Sequence, residues 1–120
     1  MDKQEFDDGF QVVKKAFEKC APVFIALGDE ARQHLILQIA AAGKDGINVS
    51  DLTGKSILSR PAISHHLKIL KDSGLIYPEK KQTKIFYHIN AFESLDNMHE
   101  MISTMESFIN AYKADEPETT

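Results

Sequence analysis

A mainly α-helical domain carrying a small β-hairpin is the fold class that this 120-residue sequence predicts, on three observations. Apolar Ile63, Leu67 and Leu70 recur at helical spacing between Ser59 and Gly74. A shorter helix signal at 48–52 precedes them by the length of a turn, and two β-branched and aromatic runs follow directly: Leu75-Ile76-Tyr77-Pro78 and Ile85-Phe86-Tyr87-His88-Ile89. Two helices joined by a short turn and followed by a hairpin make a winged helix-turn-helix. The sequence reads as one domain over 1–114, with the helix-turn-helix at about 48–73 and the wing at about 75–89.

Taken in chain order, the first element is an amphipathic helix over about 2–20. Phe6, Phe10, Val13, Phe17 and Cys20 share one stripe, and Pro22 marks its expected stop. Asn48 is an N-cap candidate with acidic Asp51 three residues on, so a brief helix is expected to end near Lys55 or Ser56, with Gly54 permitting the bend. Ser59 then caps the next helix, Pro61 sits in the first turn where a missing N–H costs nothing, and Gly74 suits the left-handed exit. That helix is about four turns long. It turns an apolar stripe inward and Arg60, Ser64, His65 and Lys68 outward.

The hairpin is expected to carry a basic tip, Glu79-Lys80-Lys81-Gln82-Thr83-Lys84. Without Asn-Gly or Gly-Gly, the tip predicts a longer, mobile loop. Pro78 cannot donate to a strand ladder, which argues for an edge strand or for pairing that stops there. In the last helix, about 91–113, Leu95, Met98, Ile102, Met105, Ile109 and Tyr112 step by three or four residues, a seam that packs against another helix. The acidic tail 115–120 is expected to be disordered.

Charge is distributed unevenly. Between Lys55 and Lys84 seven basic residues stand against two acidic ones, a balance of plus five in a chain whose net charge is −4. An acidic total does not argue against DNA binding, because the relevant field is local and is screened within about 8 Å at physiological salt. Enzyme chemistry finds no support: there is no Gly-rich phosphate loop or nucleophile elbow, and His34, His65, His66, His88 and His99 lack carboxylates at motif spacing. No apolar run is long enough for a membrane span and the acidic start is unlike a signal peptide, so a cytoplasmic, nucleoid-associated protein with no membrane partner is expected.

The run Ser64-His65-His66-Leu67-Lys68-Ile69-Leu70, the following Gly74-Leu75-Ile76 and the upstream Leu27-Gly28-Asp29-Glu30-Ala31-Arg32 resemble the ArsR/SmtB family of bacterial winged-helix repressors. The resemblance implies a homodimer that releases a double-stranded DNA operator on sensing a signal. It also implies that Arg32 anchors the start of a helix running to about Ala42. The terminal stripes fit a two-fold dimer, with Phe6, Phe10, Val13, Phe17, Leu95, Met98, Ile102, Met105, Ile109 and Tyr112 at the interface. A two-fold protein reads an inverted repeat.

Within that frame Arg60, Ser64 and His65 are candidates for base edges, and Pro61 and Ala62 for thymine methyl groups, beside the capping Ser59. Lys68, Lys80, Lys81, Gln82, Thr83 and Lys84 are candidates for phosphate or sugar. His66 is a further DNA-binding candidate, although of the two adjacent histidines the family pattern favours His65 as the outward one.

No cofactor is expected. The thiolate position of metal-sensing members falls around 48–52, where only Asp51 could be a ligand, and the single Cys20 cannot form a soft-metal site within one subunit. The other ligand positions fall near Ala91 and Glu93, then Thr104 and Ser107, so that pairing is not preserved. Asp96, His99 and Glu100 lie within one turn and are the remaining metal candidates. Cys20 reads as a small buried hydrophobe, the alternative being a disulfide between two copies. Two functional alternatives stand beside the operator-binding repressor. One is a sensor with an atypical metal site on the last helix; the other is a winged-helix interaction module that does not bind DNA.

Overall fold

The computed structural model describes residues 1–90 and 92–114. Among these residues five α-helices and three short strands occur in the order α1 (Lys3–Leu27), α2 (Glu30–Ala41), β1 (Ile47–Asn48), α3 (Val49–Gly54), α4 (Arg60–Asp72), β2 (Ile76–Lys81), β3 (Lys84–Ile89) and α5 (Phe92–Ala114), with a single 3-10 turn at Gly43–Asp45 before β1. This is the mainly helical winged-helix class. The expected tail at 115–120 and the Ala91 start of the last helix lie outside the described residues.

Two compact units make up the chain. Pro22–Ser94 forms one of them and holds the helix-turn-helix and the sheet. Its core comprises Val23, Ala26, Leu35, Ile39, Ile47, Leu52, Ile63, Leu67, Leu70, Leu75 and Ile76, all buried. These come from α1's last turns, α2, α3, α4 and the first strand residues, so each helix lays one apolar stripe on a shared centre. The other unit joins Met1–Ala21 with the residues from Leu95 onward. There Phe6 packs on Phe108 at 5.2 Å and on Tyr112 at 6.1 Å between ring centroids, and Ala16, Cys20 and Met101 are buried.

Helix α1 does not stop at Cys20. It continues through Pro22 to Leu27. An interior proline removes one backbone bond and costs about 3 kcal/mol. That cost is offset beyond the proline, where Val23 and Ala26 are buried and the last carbonyls are capped by the opening turn of α2. Arg32 donates from Nε to the Ala26 carbonyl at 2.7 Å and from Nη2 to the Ile25 carbonyl at 3.2 Å, while Gln33 Nε2 donates to the Leu27 carbonyl at 2.6 Å. Helix ends of this kind otherwise leave four carbonyls unsatisfied.

The ends of the two central helices have local causes. Asn48 Oδ1 accepts the Asp51 N–H at 2.8 Å, and Ser59 Oγ accepts the Ala62 N–H at 3.3 Å. At the far end of α4 the Gly74 N–H reaches the Lys71 carbonyl and the Leu75 N–H the Leu70 carbonyl, a Schellman motif that needs the positive φ of 86° at Gly74. The bend after α3 uses no such residue: Gly54 is helical, and Lys55 ends the helix at φ −102°. The linking turn runs from Lys55 to Ser59, slightly longer than the spacing predicts.

The sheet has the order β1-β3-β2, antiparallel throughout. Strand β2 is an edge, which is where a residue without an N–H is tolerated, and Pro78 faces Tyr87 within an uninterrupted register from Ile76↔Ile89 to Lys81↔Lys84. The tip is therefore not a long loop. Gln82 and Thr83 alone connect the strands, with Gln82 at φ 58°. A left-handed residue other than glycine costs about 1–2 kcal/mol, and the six-pair ladder that the tight turn allows offsets it. Strand β1 has no counterpart in the sequence reading. Its two residues pair Ile47 with Tyr87 and Asn48 with Phe86, which ties the start of α3 to the wing.

Candidate nucleic-acid interface

Helix α4 buries Ile63, Leu67 and Leu70 and leaves Ser59, Arg60, Pro61, Ser64, His65 and Lys68 exposed, with Ala62 half-buried. All of these exposed side chains but Lys68 lie at the cap or in the helix's first two turns, the part of a recognition helix that meets base edges. His65 and His66 diverge. His65 is exposed, whereas His66 is half-buried and its Nδ1 accepts from Arg32 Nη1 at 3.3 Å. A guanidinium only donates, so this Nδ1 carries the lone pair and the imidazole is held against α2 rather than outward. Arg32 thereby joins the end of α1, the start of α2 and the middle of α4. Asp29 closes the network: its carboxylate accepts the Arg32 N–H at 3.1 Å and lies 3.9 Å from Nη1. That backbone bond, aided by the Arg32 charge, holds Asp29 below the ordinary aspartate range.

Two of the cations are already engaged. Lys68 Nζ pairs with Asp72 at 2.8 Å, a contact that raises the lysine's pKa and lowers the aspartate's. Lys81 Nζ lies 3.3 Å from Glu79 Oε1 and 5.2 Å from the centre of the Phe86 ring. Glu79 also meets His88 Nε2 at 3.3 Å, and its pKa is lowered first by the Lys81 bond and then by His88. His88 is buried and stacks on Tyr77 at 5.0 Å, so the base of the wing is packed beneath its basic tip. Lys80, Gln82, Thr83 and Lys84 are exposed at that tip, and neither Lys80 nor Lys84 forms an ion pair among the described residues.

Arg60 behaves differently from the rest of its helix face. Its Nη1 donates to Ser50 Oγ at 3.2 Å, back toward the first turn of α3. Arg60 and Ser50 line a cleft of about 210 Å³ with Asn48, Val49, Thr83, Lys84, Ile85 and Tyr87. The β1–β3 pairing explains this meeting: Asn48, which faces Phe86, is also the N-cap of α3, so the first turn of that helix, with Ser50, starts beside the strand that begins at Lys84. Sequence reasoning missed Ser50, because no local signal connects it to the wing. The Lys68–Asp72 pair, by contrast, has the legible i, i+4 spacing.

The apolar stripes of the terminal helices are open to solvent within their own unit. Phe6, Phe10, Phe17, Leu95, Ile102, Ile109 and Tyr112 range from 36% to 55% exposed, while Val13, Met98 and Met105 are half-buried. On α5, Asp96 and His99 are exposed and Glu100 faces Lys19 at 3.5 Å. Among the described residues no three His, Cys, Asp or Glu side chains converge on a point that could hold an ion. Cys20 is a free, buried thiol. No helix among the described residues is long and apolar enough to cross a membrane.

Comparison with known proteins places this arrangement. Residues 47–77, from β1 through α4 into β2, match a family described as bacterial regulatory proteins of the arsR family. The chain is 36% identical over 73 residues to an uncharacterised helix-turn-helix transcriptional regulator of Methanocaldococcus jannaschii, covering 61% of this chain and 80% of that protein. It is 33% identical over 88 residues to the transcriptional repressor SdpR of Bacillus subtilis, covering 73% and 90% of the two chains. Among solved structures, an ArsR-like transcriptional regulator from Rhodococcus sp. RHA1 superposes with a TM-score of 0.69 at 26% identity, covering 82% of this chain and 86% of that one.

Proposed function

Because the chain belongs to the ArsR family of bacterial transcriptional regulators, we propose that it is a repressor that binds an inverted-repeat operator as a homodimer and releases it in response to a signal. The observation that carries this reading is the exposed outer face of α4, with Ser64 and His65 at its centre, in the same compact unit as the basic wing tip. Ser64 and His65 read base edges in the major groove, and Pro61 and Ala62 contact thymine methyl groups. Lys80, Lys81, Gln82, Thr83 and Lys84 hold the backbone, and Lys68 joins them when it exchanges Asp72 for a phosphate. His66 contributes by positioning α4 through Arg32. The exposed stripes of α1 and α5 are covered by the second copy, which sets two recognition helices about one turn of DNA apart. Such a protein works in the cytoplasm, on the nucleoid.

The test is a binding titration with duplexes selected from a random pool and with scrambled controls. His65→Ala is expected to cost about 1–3 kcal/mol on the selected operator and to relax discrimination at particular bases. Lys80→Ala is expected to weaken all duplexes alike and flatten the salt dependence. Normal binding by the His65 variant with lost discrimination in the Lys80 variant would reverse the assignment.

A further inference from the structure

We propose that the cleft between α3, the start of α4 and the wing tip is a seat for one DNA backbone phosphate, with Arg60 and Lys84 as its two cations, so that Arg60 clamps the backbone instead of reading a base. The inference rests on the operator-binding reading and replaces the base-edge role that the sequence suggests for Arg60. Three observations carry it. First, the Arg60 guanidinium is folded back onto Ser50 Oγ at 3.2 Å, which turns it from the outer face of α4 toward α3. Second, the cleft it enters is lined by Arg60 and Lys84, by the hydroxyls of Ser50, Thr83 and Tyr87 and by the Asn48 amide, with no carboxylate in the lining. Third, neither cation is neutralised among the described residues, unlike Lys68 and Lys81, which hold Asp72 and Glu79.

The chemistry selects a phosphodiester. An arginine already oriented by a neutral hydroxyl keeps N–H donors free for an anionic oxygen, and its planar fork suits phosphate geometry. Lysine supplies a point charge from the opposite wall, and the surrounding hydroxyls complete a donor-rich lining of the kind that contacts phosphate and sugar. Arg60 and Lys84 are both exposed residues of the lining of this cleft of about 210 Å³, so a phosphate on the groove wall can reach them from solvent. Because β1 pairs with β3, the two walls belong to one sheet-linked frame, and the phosphate would bridge the helix-turn-helix to the wing.

The experiment compares full-length wild type, Arg60→Ala, Arg60→Lys, Lys84→Ala and the double variant Arg60→Ala/Lys84→Ala on a selected operator and a scrambled duplex, across a salt series. Circular dichroism checks that each variant is folded. Arg60→Ala is expected to weaken both duplexes by the same factor and to lower the slope of log affinity against log salt by about 0.9 per subunit bound. Arg60→Lys should restore most of that slope, and the double variant should lose less than the two single losses multiplied together. Single methylphosphonate substitutions then locate the contact: the same one should weaken Arg60→Ala and Lys84→Ala less than it weakens wild type, and should have no further effect on the double variant. Loss confined to the operator with an unchanged slope overturns the seat and returns Arg60 to base reading, as does reduced sensitivity of the two variants to different phosphates. Failure of wild type to bind either duplex overturns the operator-binding reading itself.

Discussion

Arg32 Nη1 lies 3.3 Å from His66 Nδ1, so a single guanidinium holds the middle of the recognition helix and, through Nε and Nη2, the last carbonyls of α1. The arginine side chain is only 12% exposed, which makes its hydrogen bonds costly to lose. Arg32→Ala is expected to destabilise the protein by about 2–4 kcal/mol, and His66→Ala by about 1 kcal/mol. Arg32→Lys should recover little, since one ammonium cannot span three acceptors in the fork geometry. Urea unfolding of the three variants checks this. Equal losses for Arg32→Ala and His66→Ala would show that capping α1 contributes nothing.

Acid should act on the same network through Asp29. Its folded pKa is depressed by the Arg32 N–H and the Arg32 charge. A depressed carboxylate stabilises the fold fully above its unfolded value and loses that contribution as pH falls through the folded value. Asp29→Asn keeps an N-cap acceptor but removes the charge. The stability advantage of wild type over this variant should be constant near neutrality and close as pH falls through the ordinary aspartate range and below it. Asp72 and Glu79 are depressed as well, so wild type itself weakens over that range. Unfolding midpoints measured against pH would refute the account if the gap stayed constant throughout.

How much of this was legible in the sequence depends on where each signal resides. Helix α4 was readable to within a residue because its cap, apolar stripe and exit glycine are all local to 59–74. The continuation of α1 past Pro22 was not, because Arg32 and Gln33, which satisfy its last carbonyls, lie in the next helix. The tight turn at Gln82 was hidden for a related reason: its strain is offset by a ladder whose register no dipeptide signal announces. Strand β1 is two residues long, too short for any periodicity, and exists by pairing with distant β3. The meeting of Ser50, Arg60 and Lys84 inherits that invisibility. The candidate site was thus readable as a set of residue types, while the partnerships of Arg60, Lys68 and His66 needed the fold.

Gly46 and Gly74 both have positive φ, yet substitution should separate them sharply. A Cβ at Gly46 would stand 2.8 Å from the Tyr87 carbonyl oxygen and 2.7 Å from the His88 ring, whereas one at Gly74 would meet nothing within 4 Å. Gly74→Ala therefore carries conformational strain alone, about 1–2 kcal/mol. Gly46→Ala adds a clash with a backbone atom that cannot move without breaking the sheet, raising the cost to about 2–4 kcal/mol. Thermal unfolding of the two variants decides it. Similar losses would mean that the chain before β1 yields freely.

The Lys68–Asp72 pair sets up a gain of function. At 2.8 Å the aspartate holds the lysine, so any phosphate contact by Lys68 would first have to break an internal one. Asp72→Asn removes the competing charge without removing bulk. Affinity for operator and scrambled duplexes should rise together, and the salt dependence should steepen by up to about 0.9 per subunit bound. Unchanged affinity and slope in anisotropy titrations would show that Lys68 makes no phosphate contact.

The exposed stripes of the terminal helices give the test of assembly. Phe10 is 46% and Ile109 43% exposed, so a carboxylate at either position costs little while it faces water. If a second copy covers these stripes, the same carboxylate must be desolvated without a partner, which costs several kcal/mol and falls twice on a two-fold interface. Phe10→Glu and Ile109→Glu are therefore expected to keep their helical content yet halve the mass measured by light scattering. Leu37→Glu, at a 66% exposed position on α2, should leave the mass unchanged. Operator affinity should fall with the mass, because a single recognition head loses the contacts of the second half-site, while binding to an isolated half-site should be untouched. Two variants that retain wild-type mass at micromolar concentration would mean that these stripes are not the surface that joins two copies.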